Sequence, residues 1–227
     1  MAADEALLAS AIGGVASFRF YGWTQPTLSL GYFQPSVASR VDPELQALAW
    51  VRRPTGGEAL VHHHELTYAL ALPSDFPWQR RGESWLCLMH GIVADALASL
   101  GIQTSACGGD EELERGNVLC FLHHTPGDLR IGDAKIAGSA QRKQRGALLQ
   151  HGGILLAASP LTPHLPGIRE LTGSILSSES LGDAIVQQLR DRTNWILTPT
   201  EWSLQDRQRI EELVDAKYTH PAWNEKR

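Results

Sequence analysis

The sequence predicts an α+β fold, on three observations. Short β-like runs crowd the first third, one long amphipathic helix interrupts them, and helical periodicity takes over the last third. Taken in order, residues 2–12 have the pattern of a helix, with Asp4 and Glu5 in the first turn where they complement the helix dipole. Residues 17–23, 27–33 and 49–53 are rich in aromatic and branched side chains and separated by Pro and Gly, which predicts three strands. Residues 52–57, Arg-Arg-Pro-Thr-Gly-Gly, are too rich in Gly and Pro for regular structure and read as a loop.

Residues 65–72 form a further strand candidate closed by Pro73. Between 84 and 100, Trp85, Leu88, Met89, Ile92, Val93, Ala96, Leu97 and Leu100 recur at helical spacing, and Gly101 is a natural stop. Residues 102–127 look irregular. Two strands then flank a turn at Gly132-Asp133, the second running through Ala-Lys-Ile-Ala-Gly-Ser-Ala-Gln-Arg, and 148–156 is one more strand, weakened by its glycines. Leu181, Ile185, Val186 and Leu189 mark one late helix; Ile210, Leu213 and Val214 mark another. Ser203 and Asp206 resemble a capping box, with Asp in place of the usual Glu or Gln.

The chain has 227 residues, 43% hydrophobic and 20% charged, enough for one domain over 1–227 with a sizeable core. A net charge of -5 argues against a nucleic-acid partner, which usually meets a basic stripe. No apolar run approaches the ~20 residues that span a bilayer. The first residues lack the charged-then-apolar pattern of a secretory leader, so a cytoplasmic protein without a membrane partner is expected. Three cysteines, Cys87, Cys107 and Cys120, are too few and too odd in number for a disulfide framework.

Three constellations have chemical potential. In the loop, Arg52 and Arg53 offer charge for a phosphate or carboxylate, while Gly56 and Gly57 let backbone approach a ligand; the plainer reading is a surface turn. Lys135, beside Gly138, Ser139 and Ala140, can place a cation against a carbonyl, or be an exposed strand lysine. His151, before Gly152 and Gly153, is either a cleft residue or a satisfied core histidine. The run His62, His63 and His64, and the Cys120–His123 spacing, lack a second organised pair of ligands, so no metal site is expected.

In this order, the Arg-Arg-Pro-Thr-Gly-Gly loop, Glu-Leu-Thr-Tyr from 65, the Lys135 strand and the His151 strand resemble the superfamily of lipoate-protein ligases, biotin-protein ligases and octanoyl transferases. The opening Asp-Glu-Ala-Leu-Leu, the strand pair that follows it, Lys217-Tyr218 and Trp223-Asn224 extend the resemblance from Asp4 to Asn224. It implies the ligase-type catalytic fold, a mixed or antiparallel sheet packed with helices, without a C-terminal accessory domain. Cys120, fifteen positions before Lys135, sits like the nucleophile of the octanoyl transferases. The Arg-Asn-Asp triplet common in ligases is replaced by Pro126-Gly127-Asp128.

The resemblance therefore implies Cys120 and Lys135 as catalytic residues. A thiol ordinarily titrates near ~8.5, so a neighbouring cation raises its thiolate fraction and polarises the acyl carbonyl. Arg53, Thr55, Gly56, Gly57, His62, Gly138, Ser139, Ala140, His151 and Gly152 are the implied substrate-binding residues. Cys87 and Cys107 have no such context. The implied donor is an octanoyl thioester on acyl carrier protein or a similar carrier. The implied acceptor is a lysine of a lipoyl domain or of the glycine-cleavage H protein, and no cofactor is needed. His123, His124 and His151 are open candidates for assisting the amine.

Two alternatives stay open. A lipoate-protein ligase would need ATP and Mg²⁺, and a degenerate member would bind a carrier without turnover. Glu58, where relatives usually have Gly or a basic residue, opposes a phosphate there but also fits altered activity. The start at the first helix, where relatives usually have a preceding strand, is a second departure, and the histidine-rich linker at His63-His64 a third. Arg80-Arg81 and the stretch Arg142 to Arg145 are either a basic face for an acidic acceptor or solvated loops.

Overall fold

A computed structural model describes residues 1–36, 43–74, 84–108, 121 and 125–226. Helix α1 (Ala2–Ile12) leads into β1 (Ser17–Tyr21), β2 (Thr27–Leu30), a short α2 (Pro43–Gln46), β3 (Ala49–Arg52), β4 (Leu60–His62) and β5 (Glu65–Leu72). Then come α3 (Trp85–Ser99), β6 (Ser105–Ala106), β7 (Leu129–Ile131), β8 (Ala134–Gln144) and β9 (Ala147–Leu155). The last part holds α4 (Ile168–Thr172), α5 (Ser178–Thr193), α6 (Leu204–Leu213), a π-helical turn over Val214–Tyr218, and α7 (Pro221–Asn224). This is the α+β arrangement read from the sequence.

Six strands pair in the order β1-β5-β9-β8-β7-β6, all antiparallel. A smaller sheet, β3-β2-β4, is mixed: β2 runs parallel to β3 and antiparallel to β4. Side chains of β5 are buried along its whole length, because alternate residues face different layers. Leu66, Tyr68, Leu70 and Leu72 join Leu148 and Ile154 in a core with α3 and α5. On the other face Ala69, Ala71, Ala147 and Leu149 meet Leu7, Leu8 and Ala11 of α1. The alanines let α1 approach the sheet closely. The small sheet contributes Leu28, Leu30 and Val61 to a third cluster with Phe121, Leu155 and Leu165.

Side-chain caps set the starts of two helices. Ser84 caps α3, its side chain accepting from the Leu86 N–H at 3.2 Å. Ser203 and Asp206 form the reciprocal box at the start of α6. The strand expected over 27–33 ends at Leu30, because Gly31 begins a turn that brings the Tyr32 N–H onto the Thr55 carbonyl at 2.8 Å. Strands β4 and β6, of three and two residues, are too short to leave a periodic signal. No helix among the described residues is long and apolar enough to cross a membrane.

The closing segment acts as a latch. Arg52, fully buried, donates through Nε to the Asn224 carbonyl at 3.0 Å and through Nη1 to Gly31 and Gln34 carbonyls at 2.8 and 2.6 Å. Its backbone N–H and carbonyl bond to the side chains of Asn224 and Trp223. Lys217 and Tyr218 both reach Glu5 of α1 at 2.6 Å. The first arginine of the loop is therefore a structural bolt between the chain's end and the turn after β2.

Candidate active site

Register places two rows of residues on the sheet face that carries α1. One row is Tyr21–Thr67–Gly153–Gly138 across β1, β5, β9 and β8; the next is Arg19–Ala69–His151–Ala140. A cleft of about 640 Å³ lies over Tyr21, Thr67, Gly153, Gly138, His151 and Ala140 of these rows, with Leu60, His62 and the 53–58 loop also lining it. The glycines keep its floor flat. A Cβ on Gly138 would lie 2.7 Å from Lys135 Cε, and one on Gly153 would lie 3.0 Å from Glu65 Oε1. Most of the cleft surface is apolar, which suits a ligand with a hydrocarbon part.

Lys135 enters this cleft through an irregularity. A regular strand puts residues 135 and 138 on opposite faces. Along β7, Leu129 pairs with Ala137 but the next residue, Arg130, pairs with Lys135, so Ile136 is the extra residue of a β-bulge. The bulge turns Lys135 to the face of Gly138. Its ammonium, buried, contacts Asp128 Oδ2 at 2.6 Å and lies 5.3 Å from the centre of the Phe121 ring. Asp128 is itself held by Thr125, whose N–H and hydroxyl donate to the same oxygen at 2.8 and 2.5 Å. The carboxylate balances the buried cation and fixes where it points.

At the other side of the floor, His151 joins α1 to the loop. Its Nδ1 is 3.0 Å from Asp4 Oδ2 and its Nε2 is 2.6 Å from Thr55 Oγ1. Burial lowers the His151 pKa below its ordinary value, against the opposing pull of Asp4. Burial raises the Asp4 pKa, but the N-terminal ammonium, His151 and Arg19 overcome it and hold the carboxyl well below the usual range. An ionised carboxylate only accepts, so the neutral ring carries its proton on Nδ1 and accepts from the Thr55 hydroxyl at Nε2. Tyr21 adds a donor to Asp4 at 2.9 Å.

The loop wall is built from backbone. Arg53 donates to the carbonyls of Gly56, Ser29 and Glu58 at 3.1, 3.1 and 2.5 Å, which curls the loop over its own guanidinium. Arg53 thus lines the cleft while these donors shape the loop, and Arg52 points away into the latch. Gly57 adopts φ +85°, a left-handed conformation that favours glycine. His62 bridges Glu65 Oε1 and Ser29 Oγ, both at 2.7 Å, and stacks on Trp23 with ring centres 4.0 Å apart. Burial raises the Glu65 pKa, but the proximity and hydrogen bond of His62 and the bond from Thr67 outweigh it and leave the carboxyl below its ordinary value.

The structure thus brings together Lys135, Arg53, Gly56, Gly57, His62, Gly138, Ser139, Ala140, His151 and Gly152 around one cleft, with Thr55 buried behind His151. Cys120, His123 and His124 lie outside the described residues, as do Arg80 and Arg81; Phe121, which follows Cys120 in the chain, lines the cleft. The sequence left the roles of three residues that matter here unassigned. Asp4 reads as a dipole partner yet is fully buried beside His151. Asp128, at the end of the Pro-Gly-Asp stretch, was the available hint for the partner of Lys135. His90 sits in the apolar run of α3.

Stability should follow these buried groups. The pKa values of His90 and His151 are both lowered, chiefly by burial, so the unfolded chain binds more protons than the folded one below ~6.5. Stability is expected to fall as pH drops from 7 toward 5.5, by at most about 3 kcal/mol per pH unit for the two groups. Asp4 and Glu65 have lowered values, so their contribution is present above about pH 4 and is lost as pH falls further. Thermal melts across about pH 2–8 would show both losses; a melting temperature flat from pH 7 to 5.5 would contradict the histidine assignment.

With this geometry in hand, the comparisons with known proteins are specific. Residues 1–203 match the family model for the lipoyl protein ligase A/B catalytic domain. Octanoyltransferase LipM of Kyrpidia tusciae is 32% identical, the alignment covering 99% of this chain and 93% of that protein. Octanoyltransferase LipM of Geobacillus kaustophilus is also 32% identical, over 100% and 93%. Among solved structures, a lipoate-protein ligase A bound with ATP superposes with a TM-score of 0.79 at 23% identity, covering 99% of this chain and 92% of its own. The bi-partite lipoate protein ligase of Thermoplasma acidophilum gives 0.77 at 21%, covering 99% and 89%. These last two likenesses are of fold.

Proposed function

Since this chain belongs to the lipoyl protein ligase A/B catalytic-domain family, we propose that it is an octanoyltransferase of protein lipoylation, working through a thioester on Cys120. The observation that carries the proposal is the buried Lys135–Asp128 pair at an apolar cleft whose wall includes Phe121, the residue after Cys120. The full-length relatives named octanoyltransferase support the reaction class. An acyl donor and a lipoyl-domain acceptor follow from that class. The finer assignments, acyl carrier protein as donor and a lipoyl domain or glycine-cleavage H protein as acceptor, belong to the proposal.

In the first step the Cys120 thiolate attacks the carbonyl of the octanoyl thioester. The Lys135 ammonium stabilises the negative charge that develops on the carbonyl oxygen. The carrier thiolate leaves and takes up a proton, and octanoyl remains on Cys120. In the second step the neutral amine of the acceptor lysine attacks this new thioester. The Cys120 thiolate departs, accepts the proton lost by the amine, and an amide remains. Exchange of one thioester for another is nearly isoenergetic, whereas amide formation drives the second step.

Intact mass after mixing the protein with octanoyl-acyl carrier protein, without ATP, tests this directly. A gain of one octanoyl group is expected, released by hydroxylamine and absent in Cys120→Ser. An unmodified protein that modifies a lipoyl domain only with ATP and free lipoate would replace the transferase reading with a ligase.

A further inference from the structure

His90 is the one strongly polar residue among the buried side chains of α3, 2% exposed between Met89, Ile92 and Val93. A buried imidazole there costs free energy unless both nitrogens are bonded. Both are. Nδ1 lies 2.6 Å from the Gly127 carbonyl oxygen and Nε2 lies 2.8 Å from Ser139 Oγ. A carbonyl cannot donate, so Nδ1 carries the proton and Nε2 accepts from the Ser139 hydroxyl. Gln150 Nε2 in turn donates to Ser139 Oγ at 3.2 Å. Every bond in this chain therefore has one direction.

The two ends of this hydrogen-bond chain lie on either side of the Lys135–Asp128 pair. Gly127, at φ +93°, is the pivot of the 125–128 turn, and the next residue is Asp128. Ser139 lies on β8, four residues beyond Lys135 and past the bulge. We infer that His90 is a positioning residue for the reaction: by tying the Gly127 carbonyl to β8, it sets the separation of Asp128 and Lys135, and so the place of the ammonium that meets the acyl carbonyl. A bulged strand and a glycine turn are two of the more deformable pieces of backbone in the site. The imidazole between them is a rigid spacer with a donor on one side and an acceptor on the other.

This inference rests on Lys135 acting at the acyl carbonyl, so its test includes that residue. Acylation by octanoyl-acyl carrier protein would be followed in wild type, Lys135→Met, His90→Asn, His90→Gln and His90→Phe, with thermal melts to confirm folding. Asn places an amide N–H near the Nδ1 position and keeps the bond to Gly127; Gln places it near Nε2 and loses that bond. We expect His90→Asn to stay within about 3-fold of wild-type kcat, and His90→Gln and His90→Phe to fall 10-fold or more. The donor KM should change less than about 2-fold in all three. A space-filling role predicts the reverse order, with Phe best and Asn worst, and would overturn the proposal. Equal kcat for Asn and Gln would overturn it too, even if the Phe variant fails to fold. Wild type that forms no acyl-enzyme sinks the transferase reading itself; wild type active, Lys135→Met inactive and all His90 variants active sinks only the positioning role.

Discussion

Lys135→Met is expected to lower the rate of acyl-enzyme formation by roughly 10²- to 10³-fold, the usual cost of losing a donor to a developing oxyanion. It should also destabilise the protein. Asp128 and Lys135 are both buried and 2.6 Å apart, so removing the cation leaves a carboxylate without its charge partner. Breaking such a pair costs about 3–5 kcal/mol, and a domain of this size loses about 2–4 °C in Tm per kcal/mol. The double variant Lys135→Met with Asp128→Asn separates the two effects, because a neutral amide tolerates burial better. It should recover much of the Tm and none of the activity. Rates come from intact-mass time courses and stabilities from thermal melts. A Lys135→Met protein that acylates at the wild-type rate would remove Lys135 from the mechanism.

Gly31→Ala has the largest purely structural effect we expect. Its Cβ would lie 1.7 Å from the Gly57 carbonyl oxygen and 2.8 Å from its carbon, a clash with backbone that no rotamer relieves. Gly57 has little freedom to retreat, since its neighbours Gly56 and Glu58 both bind the Arg53 guanidinium through their carbonyls. The loop must move, at a cost of about 3 kcal/mol or more, or roughly 6–12 °C in Tm. Movement of the loop also carries Thr55 away from His151, so the variant should lose activity below its melting temperature. Gly22→Ala is the control: nothing lies within 4 Å of its would-be Cβ, and a change within about 0.5 kcal/mol is expected. Similar melts for the two variants would show that the close approach of Gly31 to Gly57 is not a tight constraint.

Much of the architecture was legible because its causes are local. Helix α1 reads from its acidic first turn, strand β5 from the run that ends at Pro73, and α3 from periodicity that stops at a Gly. Strand β2 came out shorter than its apolar run, since the end at Gly31 depends on a loop more than twenty residues downstream. The late helix α6 shows the limit of periodicity: Ile210 and Leu213 mark a stripe, yet no residue of the helix is fully buried.

By itself, then, the sequence determined the α+β class, most element positions and a cleft-forming set of residues. These depend on backbone propensity, on the alternation of side chains and on motifs in a fixed order. What only the tertiary structure decided is which groups share an environment. Asp4 reaches His151 across 147 positions, and His90 reaches Ser139 across 49. Lys135 faces the cleft because one extra residue in β8 reverses its side. A bulge is a property of two paired strands, and burial of a charge is a property of everything around it. Neither exists until the layers have closed, so neither has a trace in any short stretch of chain.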